Sequence, residues 1–328
     1  MSLADKRVLV TGGSGFIGSH LCRRLVDANA ELYVMVKYNS VIDNVRLTGI
    51  WDRIKPFEAD LRNLDSLRRL SDLKPHIIFH LAAYNHVGDS FTHVLEAMST
   101  NSTGTANLME AYSDYERFVY VSSSEVYGFQ DNVPFREDLE PRPMSPYAVG
   151  KYSGELFAKM HRLSRGLPIV IVRPFNAFGP YQSPRAIIAE TIIKCLLNQD
   201  IETTEGLQTR EFNFVKNLVD GLFLASEHPD AIGQIVNLGC GDEMKIRDLV
   251  RKIHRLTASK SKLQIGALPT RPGEIMRMSA DASKVKSLMG WEPKIDLDKG
   301  LTQTIEWYRD FLKEFGDSDS VLARLTPQ

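Results

Sequence analysis

The stretch Thr11-Gly12-Gly13-Ser14-Gly15-Phe16-Ile17-Gly18 follows the short apolar run Arg7–Val10 and opens a segment with helical periodicity. This order predicts a strand, a tight turn and a helix. The three spaced glycines would permit the turn, a close approach of the backbone to a pyrophosphate, and close packing of the helix on the strand. The anion would lie at the helix N-terminus. The cofactor contacts predicted in this stretch are Gly12, Gly15, Phe16 and Ile17.

Apolar runs and amphipathic segments continue to alternate through the first half of the chain. Further strands are predicted at 31–36, 77–81, 118–122 and 169–172, and another strand is predicted to end at 59–61. Helices are predicted at 64–73, 91–113 and 147–163. Strands alternating with helices indicate a doubly wound parallel sheet of the Rossmann type, in the α/β class.

The regular alternation of predicted strands and helices ends after Pro174. From there on, loops rich in Gly and Pro separate predicted helical segments at 185–197, 215–226, 246–256 and 301–315. We expect residues 1–174 to form the dinucleotide-binding domain, with 212–238 returning to it. Residues 175–211 and 239–316 are expected to form a smaller, mixed lobe that binds the substrate, and residues 317–328 to form a polar tail.

The composition excludes several classes of protein. Hydrophobic residues make up 43% of the 328 residues and the formal net charge is −1, so no strong field would recruit nucleic acid or an anionic membrane. No apolar run approaches the roughly 20 residues of a membrane span, and no signal-peptide segment precedes the first strand. The three widely spaced cysteines show no metal-ligand pattern. We therefore expect a cytoplasmic protein with no metal, nucleic-acid or membrane partner.

The end of the second predicted strand leaves the choice of dinucleotide open. An Asp or Glu there would bind the ribose 2′-hydroxyl of NAD, but this chain has Lys37-Tyr38-Asn39-Ser40. In one interpretation Lys37 accepts the 2′-phosphate of NADP. In the other, Lys37 is a solvated surface residue and Asn39 or Ser40 bonds the hydroxyls of NAD.

Two other strand ends are predicted to contact the cofactor. Asp60 and Leu61 follow the third strand, where an acid could accept a hydrogen bond from the exocyclic amine of adenine. Leu81-Ala82-Ala83 follows the fourth strand and supplies small side chains where the backbone would pass close to the cofactor.

A second motif, Ser122-Ser123-Ser124-Glu125-Val126-Tyr127-Gly128, is followed by Tyr147 and Lys151. Tyr and Lys four residues apart share one face of a helix. An ammonium beside a phenol favours the phenolate and is expected to lower the pKa of the phenol from about 10. A Ser123 hydroxyl could hold the substrate oxygen that the phenolate deprotonates, and Glu125 is a second candidate base. These groups could oxidise an alcohol and then remove a proton from the adjacent carbon.

Taken in order, these motifs resemble the extended short-chain dehydrogenases/reductases, and within them the nucleotide-sugar epimerase/dehydratase group. The resemblance covers nearly the whole chain. The resemblance is based on five motifs: TGGSGFIG at 11–18, HLAA at 80–83, SSSEVYG at 122–128, YAVGK at 147–151 and RPFNAFGP at 173–180.

The resemblance narrows the expected activity. An acid at the position of Glu125 is typical of 4,6-dehydratases and of nucleotide-sugar decarboxylases, and unusual in simple 4-epimerases. Ser124 stands where dTDP-glucose 4,6-dehydratases carry an Asp, and is more similar to GDP-mannose and legionaminate-pathway 4,6-dehydratases. The helix that begins SPYAVGK differs from that of UDP-glucuronate decarboxylases. The implied activity is a nucleotide-sugar 4,6-dehydratase, a hydro-lyase. The alternatives are a 4-epimerase, which is an isomerase, or a UDP-glucuronate decarboxylase.

The family also implies roles for single residues. The catalytic set would be Ser123, Ser124, Glu125, Tyr147 and Lys151, acting with a tightly bound NAD or NADP that is regenerated in each cycle. Tyr147 and Lys151 would also contact the cofactor. Residues implied to bind a nucleotide-diphosphate sugar are His86, Asn176, Arg185, Arg210, Arg271 and Glu274. Helices near Phe91 and Tyr147 would pair across a two-fold axis, giving a homodimer through a helix bundle.

Overall fold

The computed structural model describes residues 3–37, 45–270 and 274–316, together with Leu325. Within these residues, seven parallel strands form one sheet: β1 Arg7–Thr11, β2 Glu31–Val36, β3 Lys55–Glu58, β4 Ile77–His80, β5 Arg117–Val121, β6 Ile169–Pro174 and β11 Ile235–Leu238. Their order across the sheet is β11-β6-β5-β4-β1-β2-β3. The predicted α/β class and the doubly wound parallel sheet are confirmed.

Helices cover both faces of this sheet. They are α1 Phe16–Asp27, α2 Leu64–Arg68, α3 Leu70–Leu73, α4 Val87–Ser90, α5 Val94–Met98, α6 Gly104–Ala111, α7 Pro146–Arg165 and α9 Val215–Glu227. Residues of α1 and α9 pack into one hydrophobic cluster with alternate side chains of the strands, and residues of α2, α6 and α7 pack into a second. The sheet is therefore buried on both faces, as a parallel sheet requires.

A third hydrophobic cluster lies in the C-terminal half, between α8 Ile187–Leu196, α10 Ile246–Thr257 and α12 Leu297–Phe315. The remaining elements are β7 Ala177–Phe178, β8 Ile201–Thr203, β9 Thr209–Glu211, β10 Asn213–Phe214, β12 Glu243–Lys245, β13 Leu263–Ile265 and α11 Ser283–Met289. These short strands pair two by two outside the main sheet. β11 pairs with β6 in parallel, so the chain re-enters the sheet after α9.

The predicted helix at 91–113 is interrupted. The chain there forms α5, a π-helical turn at Ser99–Thr103, and then α6. The third strand ends at Glu58, ahead of the predicted 59–61. No helix in the described ranges is long and apolar enough to cross a membrane. The predicted tail at 317–328 lies outside the described residues except for Leu325.

Candidate active site

The glycine-rich turn joins β1 to α1 at the carboxyl edge of the sheet. Gly12 has φ +71°, and a Cβ there would lie 2.7 Å from the backbone nitrogen of Ala82. A Cβ at Gly18 would lie 2.1 Å from the carbonyl oxygen of Gly12. α1, which begins with Phe16 and Ile17, has Gly15 as its N-cap, with no side-chain cap and no acid in its first turn. Its first N–H groups are therefore available to an anion, which fits a dinucleotide pyrophosphate.

The end of β4 is held against this turn. Leu81 donates its N–H to the carbonyl of Thr11 at 3.1 Å, and Ala82 donates to the Thr11 hydroxyl at 3.1 Å. The same hydroxyl lies 2.7 Å from Nδ1 of His80, which is fully buried. Ala82 and Ala83 are half-buried. The small side chains at 81–83 thus border the turn from the neighbouring strand, where the cofactor was predicted to pass.

Lys37 and Asp60 follow β2 and β3 on the other side of the turn. They line a cleft of about 420 Å³ together with Ala59, Asn63, Ser66 and Arg69. Asp60 accepts two hydrogen bonds from the Arg62 guanidinium, at 3.1 and 2.7 Å, and this pairing lowers the pKa of Asp60 to about 2. Leu61 is buried. The predicted contacts Asn39 and Ser40 lie outside the described residues.

The serine motif forms the turn after β5. Ser123 accepts a hydrogen bond from the N–H of Glu125 at 3.2 Å and so caps a 3₁₀ turn at Ser124–Tyr127. Ser123 and Ser124 are buried, whereas Glu125 is half-buried. The turn therefore brings these three predicted catalytic groups to the carboxyl edge of the sheet, with β4 between them and the strand that carries the glycine-rich turn.

The N-terminus of α7 carries Tyr147 and Lys151. Ser145 caps the helix by accepting from the N–H of Ala148, and Pro146 stands at the first helical position, which favours a helix start there. Tyr147 also donates its N–H to the Ser90 hydroxyl at 3.2 Å, which ties α7 to α4. The Lys151 ammonium lies 4.7 Å from the ring centre of Tyr120, a cation–π contact.

The pKa of Tyr147 departs from the predicted direction. Burial raises it to about 12, and the hydrogen bond with Ser123 opposes that effect. Burial also lowers the pKa of Lys151 to about 7, against the attraction of Glu155. The prediction that the ammonium sets the phenol below its usual pKa is therefore wrong for this structure, because the loss of water around the buried phenol is the largest effect on its pKa.

The charges of two residues in the C-terminal half shift the pKa of Glu125. Burial raises the pKa of Glu125, Arg210 opposes that rise and Glu274 adds to it. Arg210 donates to the Glu274 carboxylate at 2.7 Å and to the carbonyl of Ile275 at 2.6 Å. The structure thus places Arg210 and Glu274 near enough to Glu125 for their charges to act on its carboxylate.

The other predicted substrate residues have protein partners. Arg185 forms a bidentate ion pair with Asp89, at 2.8 and 2.9 Å, which links the C-terminal half to α4. His86 caps α4 by accepting from the N–H of Asp89 at 2.9 Å. Asn176 donates to the carbonyl of Glu211 at 3.3 Å. Arg271 lies outside the described residues.

Asn101 is a residue of this region that the sequence did not indicate. It lies in the π-helical turn, accepts from the N–H of Tyr84 at 2.7 Å and donates to the Tyr84 carbonyl at 3.0 Å. Its own carbonyl accepts from Thr105, whose hydroxyl lies 3.0 Å from His80. The available signal was the polar run Ser99–Thr103 within an otherwise helical segment. Among the described residues, no cluster of three or more His, Cys, Asp or Glu could hold a metal ion.

Known proteins resemble this chain in sequence and in fold. The family described as GDP-mannose 4,6 dehydratase matches residues 9–304. The dTDP-D-glucose 4,6-dehydratase of Bos taurus is 32% identical over 331 residues, covering 97% of this chain and 92% of the relative. This chain belongs to the extended short-chain dehydrogenase/reductase family.

Two solved structures of the extended short-chain dehydrogenase/reductase family superimpose closely on this one. The dTDP-glucose 4,6-dehydratase DesIV of Streptomyces venezuelae, solved with NAD, has a TM-score of 0.86 and 29% identity, covering 96% of this chain and 99% of that one. The UDP-glucose 4-epimerase of Thermotoga maritima, solved with UDP-glucose, has a TM-score of 0.87 and 28% identity, covering 93% and 99%. NAD(P) is the cofactor of this family, and the glycine-rich turn here fits it.

Proposed function

We propose that this enzyme is an NAD(P)-dependent nucleotide-sugar 4,6-dehydratase. The observation that carries the proposal is Glu125, a half-buried carboxylate two residues after Ser123 and electrostatically coupled to Tyr147. Burial raises the pKa of Glu125, which makes it a stronger base once it is ionised. A base in that place can act on the carbon next to an oxidised alcohol, and elimination then becomes possible.

The proposed sequence assigns each proton to a group of the chain. Tyr147, as phenolate, takes the proton of the sugar 4-hydroxyl, and Ser123 hydrogen-bonds the same oxygen. When bound, NAD(P) supplies the hydride acceptor for C4 and the hydride donor for C6. The 4-ketone acidifies the C5 proton, which Glu125 removes. Protonated Glu125 then gives its proton to the departing C6 hydroxyl, so water leaves. As C6 receives the hydride, C5 takes up a proton from solvent, and Tyr147 releases to solvent the proton it took from the 4-hydroxyl, so both groups return to their starting states. Ser124 lies beside Glu125 in the same turn, and Lys151 stabilises the phenolate of Tyr147 and holds the nicotinamide ribose.

Substrate recognition is proposed for the wall opposite Glu125. Arg210 has a rigid fork suited to a diphosphate, and Glu274 could accept ribose hydroxyls. Asn176, Arg185, His86 and Arg271 belong to the same proposed set. The ion pairs that Arg210 and Arg185 make would then exchange for contacts with a nucleotide-diphosphate sugar.

Mass spectrometry tests the reaction class. The purified enzyme is incubated with UDP-, GDP-, CDP- and dTDP-hexoses and with UDP-glucuronate, and the masses of the nucleotide-sugar products are measured. The proposal predicts loss of one water from one of these substrates. Conversion without change of mass would instead assign a 4-epimerase, which the similarity to the Thermotoga maritima epimerase favours as the second candidate. Loss of carbon dioxide from UDP-glucuronate would assign a decarboxylase.

The cleft beyond β2 favours NADP over NAD. Its charged lining residues are the cations Lys37 and Arg69 and the acids Glu58 and Asp60, of which Asp60 is already paired with Arg62. Replacing Lys37 with Ser should weaken binding of 2′,5′-ADP by about tenfold, the scale of one charge-assisted hydrogen bond, and leave 5′-ADP binding unchanged. Calorimetric titration measures both ligands. Lys55→Ser, which removes an exposed lysine on β3, is the matched control. Equal affinity of the native enzyme for the two ligands would assign NAD.

We propose a homodimer formed through α5 and α7. Exposed apolar side chains recur on one face of α7 at the helical spacing expected of a packed surface. They are Val149, Leu156, Met160 and Leu163, and Leu95 of α5 is also exposed. Leu163 is 87% exposed in the single chain.

Light scattering after gel filtration tests this interface. The native chain should elute as a dimer, and Leu163→Glu should shift it to the monomer, because a carboxylate would be buried without a partner. Leu207→Glu, at an exposed leucine of the C-terminal half, is the control and should remain dimeric. A monomeric native chain at micromolar concentration would contradict the proposal.

A cytoplasmic location is proposed as well. The three cysteines, Cys22, Cys195 and Cys240, are unpaired. Unpaired thiols fit a reducing compartment.

A further inference from the structure

A buried carboxylate lies next to Arg210, the proposed diphosphate ligand. Glu211, the last residue of β9, is fully buried. Its Oε1 accepts from the N–H of Cys240 at 3.0 Å, and its Oε2 accepts from the N–H groups of Gly241 and Ala280 at 2.9 and 2.7 Å. The three donors are backbone amides, so what the carboxylate fixes is the course of the chain.

These hydrogen bonds join three segments that are distant along the chain. Glu211 ends β9, and residues 239–241 follow the sheet strand β11. Ala280 belongs to the segment 274–280, which precedes α11. The fit is close, since a Cβ at Gly239 would lie 2.0 Å from Oε1 of Glu211 and 2.5 Å from Cβ of Ala280. Glu211 therefore fastens β9 and the segment 274–280 to the carboxyl end of β11.

The segment 274–280 also holds the Arg210 side chain. The guanidinium donates to the carbonyl of Ile275 at 2.6 Å and to the carboxylate of Glu274 at 2.7 Å. These contacts involve the start of the segment, whereas Glu211 binds its end. Adjacent residues of a strand point to opposite faces, so Glu211 can be buried while Arg210 stays available to a ligand. The hydrogen bonds of Glu211 thus limit how far the guanidinium can move.

Keeping this carboxylate ionised costs free energy. Burial raises the pKa of Glu211 to about 7, and its three backbone donors oppose that rise. The raised pKa means that the folded chain holds the charge less readily than water does. An ionised carboxylate is, however, a side chain that accepts hydrogen bonds at both oxygens and donates at neither. The buried charge therefore serves to fix the three segments more than to stabilise the fold.

We propose that Glu211 is a positioning residue that holds the Arg210 guanidinium where it binds the diphosphate of a nucleotide sugar. The role rests on the proposed binding of the diphosphate by Arg210 and is independent of the reaction that follows. Without the carboxylate, the segment 274–280 would lose its attachment at Ala280, and Arg210 and Glu274 would be free to move. The sugar nucleotide should then bind more weakly, whereas the chemical steps at the serine motif should be unchanged.

The direct test is calorimetric titration of the holoenzyme with UDP, GDP, CDP and dTDP as probes of the diphosphate site. Glu211→Gln keeps the shape of the side chain, but its amide nitrogen cannot accept a hydrogen bond, so either orientation leaves a backbone donor unpaired. It should weaken binding of the preferred nucleotide by about tenfold, the scale of one or two lost hydrogen bonds. With the sugar nucleotide that the enzyme converts, KM should rise by the same factor while kcat stays native. Glu202→Gln, which changes an exposed carboxylate of β8, is the matched control and should keep native affinity.

A double-mutant cycle separates positioning of the guanidinium from a general loosening of the C-terminal half. Arg210→Ala removes the group through which Glu211 is proposed to act. In that background, Glu211→Gln should weaken nucleotide binding by less than about twofold, because the effects of residues that act through one another do not add. A further tenfold loss in the double variant would overturn the proposal, since the effect of Glu211 would then not pass through Arg210.

Glu211→Gln leaves a buried donor unpaired and could prevent folding. Glu211→Asp keeps the charge but retracts the carboxylate by one methylene group, so it should fold and weaken nucleotide binding by about threefold. The amount of cofactor that each variant retains reports whether its sheet is intact. Native nucleotide affinity in a folded Glu211→Gln or Glu211→Asp would overturn the proposal.

The failure of this role and the failure of the proposed reaction give different results. Weaker nucleotide binding by Glu211→Gln, in an enzyme that removes no water from its substrate, would support the role of Glu211 and reject the dehydration instead. Native affinity in Glu211→Gln, in an enzyme that does remove water, would reject only the role of Glu211. A native enzyme that binds none of the four nucleotides would overturn both this role and the proposed substrate class.

Discussion

Replacing Tyr147 with phenylalanine is expected to lower kcat by about 10³-fold, within the range that a positioned acid–base group contributes. The phenol is the only group of the proposed mechanism that takes the proton of the 4-hydroxyl, so the first oxidation should fail. The bound cofactor should stay oxidised when a sugar nucleotide is added, which absorbance of the reduced nicotinamide measures directly.

Tyr33→Phe is the matched control for this prediction. Tyr33 lies on β2 and its hydroxyl donates to Glu31 at 2.8 Å, away from the serine motif. The control should keep native turnover and native cofactor reduction. If Tyr147→Phe still reduced its cofactor at the native rate, Tyr147 would not be the base of the oxidation.

Replacing Glu125 with glutamine is expected to separate oxidation from elimination. Tyr147 can still accept the proton of the 4-hydroxyl, so the cofactor should become reduced within one turnover. The amide cannot take the C5 proton, so water should not leave, and steady-state dehydration should fall by about 10²- to 10⁴-fold. Stopped-flow absorbance and product mass measure the two steps on the same sample.

The rate of elimination by the native enzyme should depend on pH through the ionisation of Glu125. Glu125 acts as its carboxylate, and burial raises its pKa, so elimination should decline as the pH falls through that raised value. Glu140→Gln changes an exposed carboxylate of the segment that follows the serine motif and is the matched control. Unaltered turnover in Glu125→Gln would remove Glu125 from the mechanism.

The parallel sheet and the catalytic helix could be predicted because local signals determine them. Buried strands appear as apolar runs, the first turn needs its glycines, and Ser145-Pro146 marks the start of α7. The residues between 91 and 113 gave no comparable signal. Ser99–Thr103 contains no glycine or proline, and its switch to π-helical hydrogen bonding depends on packing against α7, where Gly150 lies close to Asn101.

The electrostatics of the site could not be predicted from spacing. Tyr147 and Lys151 are four residues apart, but their pKa values depend on how much water the folded chain leaves around them. The partners of Arg185 and Arg210 lie 96 and 64 residues away along the chain, at Asp89 and Glu274. Which charges pair in this region is therefore decided by the tertiary packing of the chain.

The central claim is that oxidation at C4 leads to elimination at C5 and C6. The measurement that tests it most directly is the fate of a deuterium placed at C4 of the UDP-, GDP-, CDP- and dTDP-hexoses. A 4,6-dehydratase should deliver that deuterium to the C6 methyl group of a product that has lost one water, observed by mass spectrometry and NMR. A product of unchanged mass that keeps the deuterium at C4 would contradict the account and assign a 4-epimerase.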